Sequence, residues 1–197
     1  MILPVSKSCH KIIKHVFKTN GVKISKLLKA TSVSQKIGYR HINKLEEINV
    51  LTENSNGSLR IIKPDLKTET GRLVYNLIEK ERELKLIKKN PKIKNSILNL
   101  KKHANKLLIE SAVIFGPFIN NNLEEKINIL IISDNNDKKI LPFLQKCFSN
   151  VENAVSARIL SKQGFIKFRK TKQNLFQELF KNHVCVYNSD LFLKLIA

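Results

Sequence analysis

The segment Lys23–Leu51, KISKLLKATSVSQKIGYRHINKLEEINVL, decides the fold of the N-terminal part of the chain. Apolar residues recur in it at helical steps, and the turn Thr31–Ser34 interrupts them. Ser34 is suited to cap the helix that follows. The pattern predicts a short helix over Ile24–Ala30 and a longer helix over Gln35–Asn49. The longer helix is expected to bury Ile37, Ile42, Leu45 and Ile48.

The flanking residues add a helix before this segment and a hairpin after it. Ser6–Thr19 has helical apolar spacing and ends at Asn20-Gly21, a common helix stop. Val50–Glu53 and Ser58–Ile62 alternate like strands around a turn that contains Asn-Gly, which favours a hairpin. The order helix, short helix, helix, hairpin is typical of a winged helix-turn-helix.

The amino-acid sequence of residues 6–64 also resembles that of the winged helix regulators of prokaryotes. The resemblance implies that the third helix enters the major groove of DNA. Gln35 is suited to adenine, and Arg40 to guanine or phosphate. The alternative is a solvated helix face beside an ordinary hairpin. The predicted DNA-binding residues are Ser34, Gln35, Lys36, Tyr39, Arg40 and Lys44 on the helix, and Asn56, Ser58 and Arg60 on the wing.

The charge of the chain points to a polyanionic partner. The net charge is +20, from 36 Lys and Arg against 16 Asp and Glu. Residues 1–109 carry +16 and residues 110–197 carry +4. An excess of this size favours nucleic acid, and the division predicts that the N-terminal half binds it. The alternative is a general bias towards lysine in composition.

Other features bear on location and cofactors. No apolar run is long enough to span a bilayer, and the start MILPVSKSCHK lacks the pattern of a secretory signal. The three cysteines lie far apart, which argues against a disulfide framework. The five histidines lack metal-ligand spacing to a Cys or a carboxylate. We therefore expect a cytoplasmic protein with no cofactor, no metal and no membrane partner.

Two helices are predicted to follow the hairpin, over Glu69–Lys89 and Lys92–Leu108. In the first, Leu73, Leu77, Leu84 and Ile87 are expected on one side. In the second, apolar residues recur at alternating steps of four and three, typical of a helix–helix seam. The seam favours a homodimer, and packing within one chain is the alternative. The predicted domains are residues 1–66, a helical connector or dimerisation region at 67–108, and residues 109–197.

The C-terminal part of the chain is predicted to form a small α/β unit. Apolar strands are predicted at Ala112–Phe115, Ile127–Ile132 and Ala154–Leu160, with a short extended piece at Val184–Tyr187. Helices are predicted at 139–148, 174–182 and 189–196, and Leu175 is expected to point inward from the second. The chain as a whole is therefore predicted to belong to the α+β class.

The stretch Ser111–Ser133, SAVIFGPFINNNLEEKINILIIS, resembles the signature of minimal nucleotidyltransferase domains of the polymerase-β type. With the winged helix, it resembles archaeal regulators that carry such a domain. Gly116 keeps the family glycine, but Pro117 replaces the serine that helps to hold triphosphate. Lys126 and Asn128 replace the two metal-binding carboxylates, so the resemblance implies a degenerate nucleotide site without catalysis.

These features predict a DNA-binding protein, specifically a transcriptional regulator. Its inactive nucleotidyltransferase-like domain would serve assembly, a protein partner or ligand sensing. One alternative is an active nucleotidyltransferase that modifies a protein or RNA through Glu124, Glu125 or Asp134. Another is an RNA-binding adaptor. The basic stretch Lys162–Lys172, with Phe165 and Phe168, could be a second nucleic-acid surface or packed core under a lysine rim.

Overall fold

The computed structural model describes residues 5–56, 59–120, 126–135, 138–151 and 154–197. The chain has a mixed α+β fold, as predicted, and forms two compact units. The N-terminal unit is Met1–Ile78 together with Ala197, and the C-terminal unit is Glu79–Ile196. The boundary between the two units therefore lies inside the stretch 67–108, which was predicted to be a helical connector or dimerisation region.

Up to Pro64, the described residues of the N-terminal unit form the three predicted helices and the predicted hairpin, to which the short strand Val22–Lys23 adds a third strand. Ser6 caps the first helix, since its Oγ accepts a hydrogen bond from the Cys9 N–H at 3.3 Å. The strand order in the sheet is β1-β3-β2. The elements are α1 (Lys7–Thr19), β1 (Val22–Lys23), α2 (Ile24–Thr31), α3 (Gln35–Glu47), β2 (Leu51–Asn56) and β3 (Leu59–Pro64).

The buried face of α3 differs from the prediction at two positions. Ile37 is 43% exposed and Ile48 is 45% exposed, although both were expected to be buried. The buried side chains of α3 are those of Ile42 and Leu45, and Gly38 is buried on the same side of the helix. Ile37 lies about 100° around the helix from Gly38, and Ile48 lies beyond the last helical residue. Gly38 faces inward, as its position in the helix predicts, whereas the neighbouring Ile37 does not.

The predicted helical stretch after the hairpin forms α4 (Glu69–Lys89) and α5 (Ile93–His103). In α4, Leu73 and Leu84 are 58% and 48% exposed, so the predicted apolar side is wrong. The buried residues of α4 include Tyr75, Ile78 and Leu86. Apolar residues occur on several sides of α4, so their spacing alone does not identify the buried stripe.

In α5 the predicted seam is buried within its own unit. Ile93, Ile97 and Leu100 belong, with Ala104, to the core beneath the C-terminal sheet. This is the packing within one chain that the sequence left open as an alternative. A homodimer stays a prediction, and these side chains are not available to form it.

The C-terminal unit is built around a four-stranded sheet of order β6-β5-β4-β7. β5 and β6 are parallel, and β4 is antiparallel to both β5 and β7. A 3-10 turn, Pro117–Asn120, follows β4. The elements are β4 (Ser111–Phe115), β5 (Ile127–Ile132), α6 (Ile140–Cys147), β6 (Val155–Leu160), α7 (Lys162–Thr171), α8 (Gln173–Lys181), β7 (His183–Tyr187) and α9 (Ser189–Ile196).

Helices cover both faces of this sheet. Alternate residues of β5, namely Ile127, Ile129 and Ile131, lie in the core that contains α5 and α6. On the other face, the rings of α7, α8 and α9 pack together, with Phe165 centred 6.0 Å from Phe176 and 5.9 Å from Phe192. Phe165 is thus packed core, whereas Leu175 of α8 is 52% exposed and does not point inward as expected.

Candidate nucleic-acid interface and the C-terminal cleft

The predicted recognition face of α3 is open to solvent. Lys36, Arg40 and Lys44 follow one another at steps of four, so they lie along one side of the helix. The helix carries no acidic residue before Glu46. The six residues proposed on this helix are all exposed, namely Ser34, Gln35, Lys36, Tyr39, Arg40 and Lys44. Together they form a cationic strip with amide and phenol groups beside it.

Close packing against α2 sets the position of α3. A Cβ at Gly38 would lie 2.1 Å from Leu28 Cδ2, so no larger residue fits there without a shift. Ser32 has a φ of +53° and ends α2, and Val33 then donates a backbone hydrogen bond to Leu28 O at 3.2 Å. The turn and the glycine therefore fix which side of α3 faces solvent.

His41 connects α3 to α1. Its Nε2 lies 2.8 Å from Ser8 Oγ, within hydrogen-bond distance. Partial burial lowers the pKa of His41, and the nearby charges of Arg40 and Lys44 lower it further. The geometry gives this residue a packing role between the two helices.

The hairpin of β2 and β3 contains an ion pair that was not predicted from the sequence. Arg60 Nε donates to Glu53 Oε1 at 2.7 Å, and Arg60 Nη2 donates to Glu53 Oε2 at 2.5 Å. The register pairs Glu53 with Ile62 and Ser55 with Arg60, so the two charged residues are diagonal neighbours. The guanidinium of Arg60 is therefore already bound to the carboxylate of Glu53. Ser58 and the side chain of Asn56 lie outside the described residues.

A cleft of about 440 Å³ lies at one end of the C-terminal sheet. Three of the four residues assigned to the degenerate nucleotide site line it together: Gly116, Pro117 and Asn128. Lys126 is exposed just before β5 and does not line the cleft. Gly116 has a φ of +92°, and a Cβ there would lie 3.1 Å from Asn128 Nδ2. The glycine therefore permits a close approach between the end of β4 and the start of β5.

Strand alternation explains the remaining lining. Asn128 pairs with Ser156 and Leu130 with Arg158 in the parallel register, so all four project from one sheet face. The Arg158 guanidinium carbon lies 5.6 Å from the ring centroid of Phe168 on α7. Ser156, Phe168 and the exposed Leu175 are further lining residues that the sequence analysis did not assign to this site. The strand pairing that gathers them was not identified from the sequence.

A buried polar cluster lies elsewhere in the C-terminal unit, around Glu79. Arg82 Nη1 donates to Glu79 Oε1 at 2.8 Å, and the Cys185 N–H donates to Glu79 Oε2 at 2.7 Å. His183 Nε2 lies 3.2 Å from Glu79 Oε1. Burial alone would raise the pKa of the Glu79 carboxyl, but the charges of His183 and Arg82 outweigh it and lower that pKa to about 2.

This cluster joins residues about a hundred positions apart, so sequence spacing gave no sign that His183 has a carboxylate neighbour. In the described parts of the chain, no group of three or more His, Cys, Asp and Glu could hold a metal ion. Within those same parts, every helix is too short or too polar to cross a membrane. Glu124, Glu125 and Asp137 lie outside the described residues.

The two units share the positive charge. Residues 1–78 carry 14 Lys and Arg against 5 Asp and Glu, a net charge of +9. Residues 79–196 carry 22 against 11, a net charge of +11. The asymmetry between residues 1–109 and 110–197 therefore does not distinguish the folded units. The basic residues between 80 and 106 belong to the C-terminal unit.

No family model and no curated protein sequence matches this chain. One solved structure to which it is similar is that of TrmBL2, described as an archaeal chromatin protein with a novel mode of DNA binding. The match has 15% sequence identity and covers 87% of this chain and 72% of that one, with a TM-score of 0.30.

Proposed function

We propose that the protein binds double-stranded DNA and that its N-terminal unit is a winged helix with α3 as the recognition helix. The observation that carries this proposal is the exposed cationic strip of α3, in which Lys36, Arg40 and Lys44 are aligned. A helix of this kind matches the width of the major groove and the charge of its phosphates.

The residues along the strip divide into two chemical roles. Gln35 and Arg40 can form paired hydrogen bonds with base edges, and Lys36 and Lys44 can neutralise phosphates. Phosphate contacts release counterions, so the affinity for duplex DNA should fall steeply as salt concentration rises. Arg60 would reach DNA only by exchanging its bond to Glu53 for a phosphate.

For the C-terminal unit we propose a nucleotidyltransferase-like scaffold that performs no nucleotidyl transfer. Gly116 and Asn128 adjoin at the cleft, but an amide is a poor ligand for Mg²⁺ compared with a carboxylate. Pro117 has neither a hydroxyl nor an N–H for a phosphate. The whole protein would then act as a cytoplasmic transcriptional regulator, a homodimer in which this unit serves assembly, partner binding or sensing.

The decisive experiment removes two charges from α3. We expect Lys36→Ala with Arg40→Ala to reduce affinity for mixed-sequence duplex DNA at least about a hundredfold in fluorescence anisotropy, as the loss of two ionic contacts implies. The matched control is Lys11→Ala with Lys18→Ala, which removes two exposed charges from α1. Circular dichroism would establish that both variants are folded.

Two outcomes would refute parts of this proposal. Equal loss of affinity in both double variants would mean that net charge, and not the α3 strip, binds DNA. Transfer of label from radioactive nucleoside triphosphates to protein or RNA, in the presence of Mg²⁺ or Mn²⁺, would show that the C-terminal unit is an enzyme. Selection of bound genomic fragments would then test the regulatory role, since a palindromic site indicates a dimer.

A further inference from the structure

We propose that the C-terminal cleft binds an unpaired base of a single-stranded nucleic acid, with the neighbouring phosphates of the strand on the basic residues of α7. The cleft is the one formed by Phe115, Gly116, Pro117, Asn128, Leu130, Ser156, Ala157, Arg158, Phe168, Leu175, Glu178 and Leu179. This site is separate from the α3 strip and lies wholly within the C-terminal unit.

The walls of the cleft provide flat and apolar surfaces. The half-buried ring of Phe168 has the Arg158 guanidinium over it, 5.6 Å from the ring centroid. Arg158 is exposed on the edge strand β6, so its other side is open to a ligand. Leu175 leaves 52% of its surface exposed beside this pair. Nucleobases stack on guanidinium planes and on aromatic or apolar side chains.

Polar groups meet these surfaces at the sheet end. Asn128 offers an amide donor and acceptor, and Ser156 offers a hydroxyl, both from the same face of adjacent parallel strands. These groups can pair with the edge of a base that is not engaged in a duplex. A base within a duplex has its pairing edge occupied and its faces stacked, so this cleft favours unpaired nucleotides.

Several basic residues lie in the segment that lines the cleft, enough to contact more than one phosphate. From Ser156 to Lys181 the chain has seven Lys and Arg and one acidic residue, Glu178. Lys162 is held by Glu110 and Asp134, at 2.6 and 3.0 Å. Lys167, Lys170 and Lys172 are exposed along and just after α7. Lys172 lies one helical turn after Phe168 and therefore near the stacking surface.

This layout suits a strand better than a free nucleoside triphosphate. Pro117 supplies no hydroxyl and no backbone N–H at the point where a phosphate would enter beside Gly116. Lys167 and Lys170 lie about one turn apart on the exposed side of α7, and Lys172 follows the end of the helix, so these cations do not surround a closed cavity.

The test is the affinity of the full-length protein for short fluorescent oligothymidylate and oligouridylate, measured by anisotropy at fixed salt. We expect Phe168→Leu, which keeps the charge, to weaken binding of at least one of them about tenfold. Arg158→Gln should weaken it at least as much. Lys146→Gln is the control, because it removes one exposed charge from α6 on the opposite sheet face.

The design also separates this site from the α3 strip. The variant with Lys36→Ala and Arg40→Ala should still bind the oligonucleotides, and Phe168→Leu should still bind duplex DNA like the unmodified protein. Cross-linking of a 4-thiothymidine oligonucleotide, followed by mass spectrometry, should label peptides within 156–179, even if a cleft variant is unstable.

Three results would overturn the inference. The first is equal affinity of the Lys146→Gln and Arg158→Gln variants, which would reduce the effect to net charge. The second is cross-links confined to other peptides. The third is displacement of the oligonucleotide by a mononucleotide at the same nucleotide concentration, which would identify a small-molecule site.

Discussion

The α3 strip and the Glu79 cluster use charge in opposite ways. On α3, Lys36, Arg40 and Lys44 are exposed to water along one side of a helix. Around Glu79, a carboxylate that is 1% exposed accepts hydrogen bonds from Arg82 and from the backbone of Cys185. Charges on the first surface cost the fold little and remain available to a partner. The charges in the cluster depend on one another.

The difference predicts where a substitution will act. Removing one member of a buried ion pair leaves the other charge desolvated and unmatched, which is strongly destabilising. Removing an exposed charge changes the free energy of unfolding by well under about 1 kcal/mol in most cases. Substitutions on α3 should therefore alter binding at constant stability, and substitutions in the cluster should alter stability at constant intrinsic binding.

The largest effect is expected for Glu79→Gln. We expect it to lower the free energy of unfolding of the C-terminal unit by about 3–5 kcal/mol, because Arg82 loses its buried counter-charge and His183 loses its carboxylate neighbour. Urea unfolding followed by circular dichroism would measure it. Glu178→Gln, which removes an exposed carboxylate, is the control and should change the midpoint little. Equal effects of the two variants would contradict the contrast between buried and exposed charge.

The Glu79 carboxyl should also make the free energy of unfolding depend on pH in the acidic range. Its pKa is lowered from an ordinary 4.5 to about 2 in the folded chain, so the unfolded chain binds the proton first on acidification. The stabilisation is complete above about pH 5 and is lost as the pH falls towards 2, by a total of roughly 3 kcal/mol. Unfolding free energies across this range would show a smaller slope for Glu79→Gln. An unchanged slope would contradict the assignment.

A smaller effect is expected at the contact that positions α3. Gly38→Ala would place a methyl 2.1 Å from Leu28 Cδ2, and we expect a loss of about 1–3 kcal/mol in stability. Leu28 can change rotamer only in part, so duplex affinity should fall as α3 shifts. Thermal unfolding and anisotropy would measure both quantities. Adding Leu28→Val should recover part of the loss, and failure to do so would indicate a different cause.

The smallest effect is expected at the wing. Glu53→Gln removes the carboxylate that binds Arg60, and exposed pairs of this kind contribute little to stability. If the wing touches DNA, the released guanidinium should raise duplex affinity a few-fold, with a steeper dependence on salt. Binding titrations at several salt concentrations would decide. An unchanged affinity would indicate that Arg60 has a structural role in the hairpin.

Most helices and strands followed from local pattern, although β1 and α7 were not predicted, and the exposure of particular side chains did not follow from it. The pair Asn20-Gly21 marked the end of α1, because a helix stop signal acts over a few residues. Ile37 and Leu175 followed helical spacing, yet both are exposed. Spacing identifies an apolar stripe only approximately, and the neighbouring elements decide which of its members are covered.

For the same reason, the residues of α3 could be predicted from the sequence, whereas most residues of the C-terminal cleft could not. The α3 residues could be read from the sequence because all of them lie within eleven positions of one helix. Arg158, Phe168 and Ser156 come from a strand and a helix that meet Asn128 only through the parallel pairing of β5 with β6. That pairing is a long-range contact, and the residues concerned carry no local signature.

The sequence by itself determined the α+β class, most of the succession of elements except β1 and α7, and the cationic side of α3, since propensity, capping and helical period are local properties. Tertiary structure alone decided that Glu79 meets His183 and Cys185, and that Gly116, Asn128 and Arg158 share a cleft. It also placed more than half of the net positive charge, +11 of +20, within the C-terminal unit, whose boundary is not evident in the sequence. These outcomes depend on which surfaces exclude water from one another, and that is settled only when distant segments pack together.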